Sequence, residues 1–216
     1  GALVCGLVTS GFWALGPIIA KALYFEANQI SIFMAVTLMG GAIFQLPIGR
    51  FSDLVDRRLV IAALSGAASL ITLSTIVLGL ETASAFFIVM FLFGGATFPL
   101  YSISLAHAND NSTLSPIETG SVILLTYSIG AVVGPVLISA TLAISNLGLY
   151  FITTLILAPF SVWTFLRSQA IPATQAHFTP YQDVPVTTQE VILLSTDEVL
   201  DAAMDPTTKE PSPTAG

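Results

Sequence analysis

Residues 49–58 read GRFSDLVDRR and join two long apolar stretches of the chain. Only 9% of the 216 residues are charged, yet this segment holds three of the six basic residues. It opens with Gly49 and carries Asp53 four residues later, followed by Arg57 and Arg58. A short charged turn between apolar stretches is typical of a connection between two membrane-spanning helices, and Gly49 is expected to end the first of them.

The rest of the chain is more apolar than an ordinary soluble domain. Its mean hydropathy is +0.87 and 54% of its residues are hydrophobic. A helix needs about 20 mostly apolar residues to cross the hydrocarbon core of a bilayer. Six stretches meet this requirement, at residues 2–22, 30–48, 59–80, 83–106, 120–144 and 148–166. None has Asp, Glu, Lys, Arg or His in its interior. The sequence therefore predicts an all-α integral membrane bundle of six transmembrane helices.

The basic residues predict how the bundle is oriented. If six helices alternate across the membrane, Lys21 falls on one side and all other basic residues fall on the opposite side, namely Arg50, Arg57, Arg58, Arg167 and Lys209. An excess of Lys and Arg marks the cytoplasmic side. We therefore expect a multi-pass protein of the inner or plasma membrane, with both ends of this chain in the cytoplasm.

The last 49 positions, residues 168–216, differ in composition from the six-span domain of residues 1–167. They contain seven acidic residues against Lys209 alone, and six of the twelve prolines. Such a segment cannot bury much apolar surface, so we expect a mostly disordered cytoplasmic tail. Ser195 and Glu198 have the spacing of a capping box, which predicts a short helix near residues 195–204. The tail is either a solvated extension or a segment that docks a regulatory partner.

The charged turn resembles the signature loop of the major facilitator superfamily of transporters, whose pattern is roughly G-x-L-a-D-r-x-G-r-r/k. Gly49, Asp53, Arg57 and Arg58 fall on this pattern, whereas Asp56 stands where the family usually has a second Gly. Residues 130–135, GAVVGP, resemble the G-x-x-x-G-P motif found in fifth helices of this family. Four further segments are similar to the C-terminal half in the YcaD-like branch, at residues 11–17, 46–50, 98–102 and 106–110.

The resemblance implies a fold and a set of partners. A complete member has twelve helices in two six-helix halves, and holds its solute near the middle of the membrane between them. This chain is then one half, the second by resemblance, although a long tail after the sixth helix also suits the central loop of a first half. The implied partners are a small-molecule solute, the lipid bilayer and the missing N-terminal six-helix half. No nucleic acid, cofactor or metal is expected. No enzymatic activity is expected either, because the sequence has no G-x-S-x-G or H-E-x-x-H motif.

The resemblance also implies a cytoplasmic gate. In the family, the Asp of the turn locks one half to a helix of the other half when the cytoplasmic side is closed. Carried over to the matching positions, the gate motif is Gly49, Asp53, Arg57 and Arg58. The alternative interpretation is a positively charged anchor that only sets the topology. At the mouth of the fourth helix, His107 and Asp110 are candidates for a proton relay or part of the gate, or else cap a helix end.

The helices that line the solute path in this fold are the first and fourth of each half. In the first helix, Thr9 and Trp13 share a face, and in the fourth Thr97 and Tyr101 do so. The two aromatic rings can stack a solute while the two hydroxyls supply hydrogen bonds. The alternative is ordinary packing between helices, and the sequence does not separate the two interpretations.

Two further motifs concern helix shape and packing. Gly94 and Gly95, followed by Pro99, are expected to weaken the fourth helix near the middle of the membrane. The motif of the fifth helix is expected to allow close packing and a bend, and consists of Gly130, Gly134 and Pro135.

The predicted function is a secondary active transporter that moves a small solute by alternating access. The alternative is a self-contained six-span scaffold or assembly protein with a partner-binding tail, which has no need of the charged turn. Because no ionisable residue lies inside a span, either the solute is neutral or apolar, or the other half supplies the charge.

Overall fold

The described residues of the protein form seven helices that make six potential membrane spans. The computed structural model describes residues 1–22, 24–78, 83–142, 145 and 147–170. The helices are α1 (Ala2–Ala22), α2 (Ala27–Ser52), α3 (Arg57–Leu78), α4 (Ala83–Thr97), α5 (Pro99–Asn111), α6 (Pro116–Leu142) and α7 (Gly148–Ala170). By length and composition, α4 and α5 count as one span, Ser84–Asn111, and the other five helices each supply one. The prediction of an all-α bundle with six spans is confirmed.

The second helix is longer than the sequence predicted, and Gly49 does not end it. The expected span was residues 30–48, whereas α2 runs from Ala27 to Ser52. Gly49 lies inside α2, and its carbonyl accepts a hydrogen bond from the N–H of Asp53 at 3.3 Å. Asp53 is the C-cap, with φ −78° and ψ −17°. The expectation for Gly49 was wrong because this glycine keeps helical hydrogen bonding.

The start of α6 is set by a capping box that precedes the predicted span. The Ser115 N–H and hydroxyl donate to the Glu118 carboxylate at 3.0 and 2.9 Å, and the Glu118 N–H donates back to the Ser115 hydroxyl at 3.4 Å. Pro116 occupies the first helical position, where a missing N–H costs nothing. The helix therefore begins four residues before the predicted Gly120.

The fourth span is interrupted between α4 and α5, at Phe98. Phe98 keeps helical angles of −66° and −40°, and its N–H donates to the Gly94 carbonyl at 3.0 Å. The next residue, Pro99, has no N–H, so the carbonyl of Gly95 loses its usual donor. The interruption follows from the proline, while Gly94 and Gly95 remain inside α4.

Two pairs of helices meet through glycines. Helix α1 packs on α6, and α2 packs on α4. In the first pair, a Cβ at Gly6, Gly130 or Gly134 would collide with the facing backbone. In the second pair, Gly40 faces the Phe91 carbonyl and Gly94 faces the Thr37 carbonyl in the same way. Such close approach is the usual means by which helices associate in a membrane.

The third pair, α3 and α7, also uses hydroxyl groups. The Thr72 and Thr154 hydroxyls lie 2.8 Å apart, and the Ser161 hydroxyl donates to the Ala62 carbonyl at 2.7 Å. Between the pairs lies an aromatic core centred on Phe12, Phe33, Phe86, Phe93 and Tyr150, all buried. This core holds the three pairs together in one bundle.

The predicted tail lies almost wholly outside the described residues. Helix α7 continues through Ser168 to Ala170, beyond the predicted boundary at residue 167. The helix predicted near residues 195–204 falls in the part of the chain that the structure does not describe.

Candidate functional site

One end of the bundle carries a cluster of charged and polar side chains from three helices and the turn between two of them. We call it the end cluster, and it consists of Ser52, Asp53, Arg57 and Asp110. Ser52 is the last residue of α2, Asp53 belongs to the turn that follows, and Arg57 begins α3. Asp110 lies in the last turn of α5, 53 residues further along the chain.

Arg57 is the centre of the end cluster. Its Nε donates to Asp110 Oδ2 at 2.7 Å, and its Nη1 donates to the Ser52 hydroxyl at 3.2 Å. Its Nη2 lies 3.0 Å from Asp53 Oδ1, an ion pair four residues apart in sequence. A planar guanidinium with donors fixed in several directions is suited to hold three groups at once. One side chain thereby ties the ends of α2, α3 and α5 together.

The end cluster is shielded from solvent to different degrees. The Arg57 side chain is 1% exposed and Asp110 is 7% exposed, whereas Asp53 is 26% exposed. A buried charge is tolerated when it is paired and hydrogen-bonded, and removal of one partner leaves the other uncompensated. Arg57 and Asp110 therefore form the buried base of the cluster, and Asp53 is its more exposed member.

A second ion pair, between Arg58 and Asp56, stays within one turn of the chain. The Arg58 Nε and Nη2 donate to the Asp56 carboxylate at 2.8 to 3.1 Å. The Arg58 N–H also donates to Asp56 Oδ1 at 2.9 Å, as expected of an acidic N-cap. Partial burial opposes ionisation, yet the hydrogen bonds and charge of Arg58 hold the pKa of Asp56 below its ordinary value of 3.8. Asp56, at the position where the family usually has Gly, thus caps α3.

His107 lies one turn before Asp110, near the end of α5. Its Nδ1 is 3.3 Å from Asn111 Nδ2, which also donates to the His107 carbonyl at 2.8 Å. The structure thus places Asp110 in the end cluster and His107 beside Asn111 at the end of the same helix.

Of the four residues predicted to line a solute path, Trp13 is the most exposed. Its indole is 40% exposed and stacks on Phe98, with ring centroids 6.1 Å apart and planes at 14°. Thr9 is half-buried, and its hydroxyl lies 3.6 Å from the sulfur of buried Cys5. Thr97 is buried and donates to the Phe93 carbonyl at 2.9 Å.

Tyr101 lies in a contact between helices. Its side chain is 7% exposed and meets Tyr127 of α6 edge to face, with centroids 5.2 Å apart. This position corresponds to the packing alternative that the sequence left open for Tyr101. The glycines of the fifth-helix motif, Gly130 and Gly134, face α1, and Pro135 follows them within α6.

Sequence reasoning missed two contacts of Arg57 and the role of Phe98. It expected a partner for Asp53 outside this chain, whereas the structure also pairs Asp53 with Arg57. Sequence reasoning also did not predict the pair of Asp110 with Arg57. Alternating helices do bring the end of the fourth span and the turn after the second span to the same side of the membrane. Sequence reasoning passed over Phe98 as well, whose position directly before Pro99 is the signal that could have found it.

Comparison with known proteins gives the family. The family model described as Major Facilitator Superfamily matches residues 1–200. The chain belongs to the Major Facilitator Superfamily. With six helices able to span a membrane, it is a multi-pass membrane protein of that superfamily, as the charged turn predicted.

Curated relatives of this superfamily member include proteins described as "Uncharacterized MFS-type transporter YcaD". The protein of Escherichia fergusonii is 28% identical over 136 residues, and so is that of Salmonella arizonae. The protein of Salmonella paratyphi B is 27% identical over 139 residues. Each alignment covers 62% of this chain and 34% of the relative. The chain therefore matches about a third of the length of these relatives, and the predicted similarity to the YcaD-like branch is confirmed.

Proposed function

We propose that this chain is one six-helix half of a secondary transporter, and that the end cluster is part of its cytoplasmic gate. The transporter moves a small solute by alternating access, with the solute held between this half and an N-terminal half. The observation that carries the proposal is the buried Arg57, which binds groups from α2, from the turn and from α5 at one end of the bundle. Superfamily membership and the transporter relatives support it.

The end cluster lies on the side that we infer to be cytoplasmic. The last turn of α2 carries Arg50 and the last turn of α7 carries Arg167, and both helices end on the same side if the spans alternate. Together with Arg57 and Arg58, these residues give that side most of the positive charge, as expected for the cytoplasm. We place the protein in the inner or plasma membrane on this basis.

A gate needs a rigid part and a part that meets the other half. The Arg57 guanidinium makes the ends of α2, α3 and α5 move as one unit, because separating them would leave buried charges without partners. Asp53 is held by this unit and is its most exposed acid. We infer that Asp53 contacts the N-terminal half when the cytoplasmic side is closed, and leaves it when that side opens.

Cysteine labelling of the whole transporter tests the gate. We would replace Cys5 by Ser and other cysteines likewise, introduce Ala108→Cys near His107, and measure its rate of reaction with a membrane-impermeant reagent from the cytoplasmic side. Asp53→Asn removes the charge with little change of size. We expect it to destabilise the closed state and to raise the labelling rate several-fold, whereas Asp53→Glu keeps the rate near that of the parent.

Asp56→Asn is the matched control, because Asp56 lies in the same turn but binds Arg58 within its own segment. We expect its labelling rate to stay near that of the parent. Equal rates in the Asp53→Asn variant and the parent, with both proteins folded and monodisperse, would contradict the gate role of Asp53.

A further inference from the structure

Trp13 and Phe98 form an aromatic surface in the middle of the membrane-spanning region. Trp13 lies nine residues before the end of α1 at Ala22, about half of the roughly 20 residues that a membrane span needs. Phe98 lies fourteen residues after the start of its span at Ser84 and thirteen before its end at Asn111. We call this pair the aromatic platform.

The position of Trp13 is unusual for an exposed tryptophan. Tryptophans that meet lipid are enriched at the membrane interfaces, where the ring N–H reaches water or headgroups. The other tryptophan, Trp163, fits that rule, since it is 56% exposed and the guanidinium of Arg167 lies 5.5 Å from its ring centroid near the end of α7. Trp13 exposes 40% of its side chain at mid-span, where hydrocarbon cannot bind its N–H. Its exposed face is therefore better suited to a solute path than to lipid.

Within the aromatic platform, Phe98 packs on the backbone of α2 at Gly41 and so fixes the place of Trp13. A Cβ at Gly41 would collide with the Phe98 ring, so this ring lies directly on the backbone of α2. Phe98 also stacks on the Trp13 indole, which meets the Phe12 ring at 77° with a centroid distance of 5.7 Å. Phe98 therefore acts as a positioning residue, and Gly41 provides its space.

The chemistry around the platform favours a neutral solute. Residues 2–20 and 83–106 contain no Asp, Glu, Lys, Arg or His. The nearby hydroxyls bond within their own helices, since Ser10 donates to the Gly6 carbonyl at 2.6 Å and Thr97 donates to the Phe93 carbonyl. What this half offers is a flat apolar face with one ring N–H. Desolvating an ion at this depth without a counter-charge is costly.

We propose that the indole of Trp13, positioned by Phe98, contacts the solute, and that the solute is a neutral organic molecule with a flat apolar face. The inference rests on the proposed transport function and adds the solute class and two residues, Phe98 and Gly41, to its site. It requires Trp13 to face an aqueous path in the assembled protein.

Fluorescence quenching tests where Trp13 faces. We would prepare the whole transporter in liposomes with either Trp13 or Trp163 as its only tryptophan, and quench with acrylamide, caesium ion, iodide and lipids with brominated acyl chains. We expect acrylamide, a neutral solute, to quench Trp13 several-fold more than either ion does, and brominated lipid to quench Trp163 more than Trp13. Quenching of Trp13 by brominated lipid as strong as that of Trp163 would overturn the inference. Both single-tryptophan proteins must first be shown to be folded and monodisperse, so that a folding defect does not obscure the result.

Thermal stabilisation by two planar probes that differ in charge tests the solute class. We expect quinoline to raise the Tm of the parent and N-methylquinolinium to leave it unchanged. The quinoline shift should be lost in Phe98→Leu and kept in Phe160→Leu, a matched control because Phe160 stacks on Trp163 with centroids 6.2 Å apart. An equal shift by N-methylquinolinium, or a shift that survives Phe98→Leu, would overturn the inference. The labelling response to Asp53→Asn does not involve the platform, so it shows separately whether the gate proposal stands.

Discussion

The end cluster and the middle of the bundle are held together by different kinds of contact. At the end, the guanidinium of Arg57 binds Asp110, which lies 53 residues later in the chain, and so joins the ends of three helices. In the middle, buried hydroxyls such as those of Thr37 and Thr97 donate to carbonyls one turn back in their own helices. The helices there meet mainly through glycine, as at Gly40 and Gly94.

The difference follows from the surroundings. Near the headgroups, charged side chains can be kept ionised, so a paired Arg and Asp can link distant segments. In the hydrocarbon, an unpaired polar group is costly, so hydroxyls such as those of Thr37 and Thr97 bond within their own helix and association relies on close packing. The α3–α7 pair, where the Thr72 and Thr154 hydroxyls meet across the helices, is intermediate. Specific links are therefore concentrated at the end, which suits a gate, while the middle is left apolar.

The largest expected effect separates the two adjacent arginines. Arg57→Ala removes the guanidinium that pairs with buried Asp110 and should lower the free energy of unfolding by about 3–5 kcal/mol. Arg58→Ala breaks a pair within one turn whose side chains are more exposed than that of Arg57, 12% and 17% against 1%, and should cost less than Arg57→Ala. Unfolding in mixed micelles, followed by circular dichroism, measures both. Equal losses of unfolding free energy in the two variants would contradict the view that Arg57 links helices whereas Arg58 binds only within its own turn.

A smaller effect is expected in the middle of the bundle. Gly94→Ala places a methyl group against the Thr37 carbonyl of α2, and overpacking of this kind costs about 1–3 kcal/mol. Gly66→Ala is the control, since the new Cβ would meet only the side chain of Ser161 and would cost at most its hydrogen bond to the Ala62 carbonyl, about 0.6 kcal/mol. The same unfolding measurement compares them. If Gly66→Ala proves the more damaging, the backbone contact at Gly94 does not limit how closely α2 and α4 pack.

The intermediate α3–α7 pair should show a weaker response. Thr154→Val keeps the shape of the side chain and removes its bond to Thr72, at a cost of about 0.6 kcal/mol, the usual value for hydrogen bonds between membrane helices. Ser128→Ala removes a hydroxyl that is exposed and bonds its own helix at Leu124, so its effect should be smaller still. If Ser128→Ala lowers the free energy of unfolding as much as Thr154→Val does, the hydrogen bond between Thr72 and Thr154 does not contribute to stability.

The smallest expected effect is on how the stability of the protein depends on pH. Because the pKa of Asp56 lies below 3.8 in the folded protein, ionised Asp56 stabilises the fold above that pH, and this contribution is lost as the pH falls through the folded pKa. The Tm difference between the parent and Asp56→Asn should therefore shrink when the pH is lowered from about 6 to about 3. A difference that grows on acidification would contradict the sign of the shift.

The sequence was sufficient for the fold and only partly for the site. Apolar length predicted the six spans, although α3 begins at Arg57 and not at the predicted residue 59, and the charged turn predicted the family. The pair of Arg57 with Asp110 was not predictable, because alternation of the helices brings both residues to one side without saying which helix ends are neighbours. The weak point of the fourth span was expected from Gly94, Gly95 and Pro99 together, and the missing N–H of Pro99 sets its place at Phe98. The path roles of Thr9 and Trp13 remain predictions.

A double-mutant cycle between Arg57 and Asp110 tests most directly whether one buried guanidinium ties the helix ends together. The free energies of unfolding of the parent, Arg57→Ala, Asp110→Ala and the double variant would be measured in the same micelles. We expect the double variant to lose much less stability than the two single losses added together, with a coupling within the range of about 0.5–3 kcal/mol seen for residues of one network. Losses that add to within about 0.5 kcal/mol would contradict the account, because independent sites behave in that way.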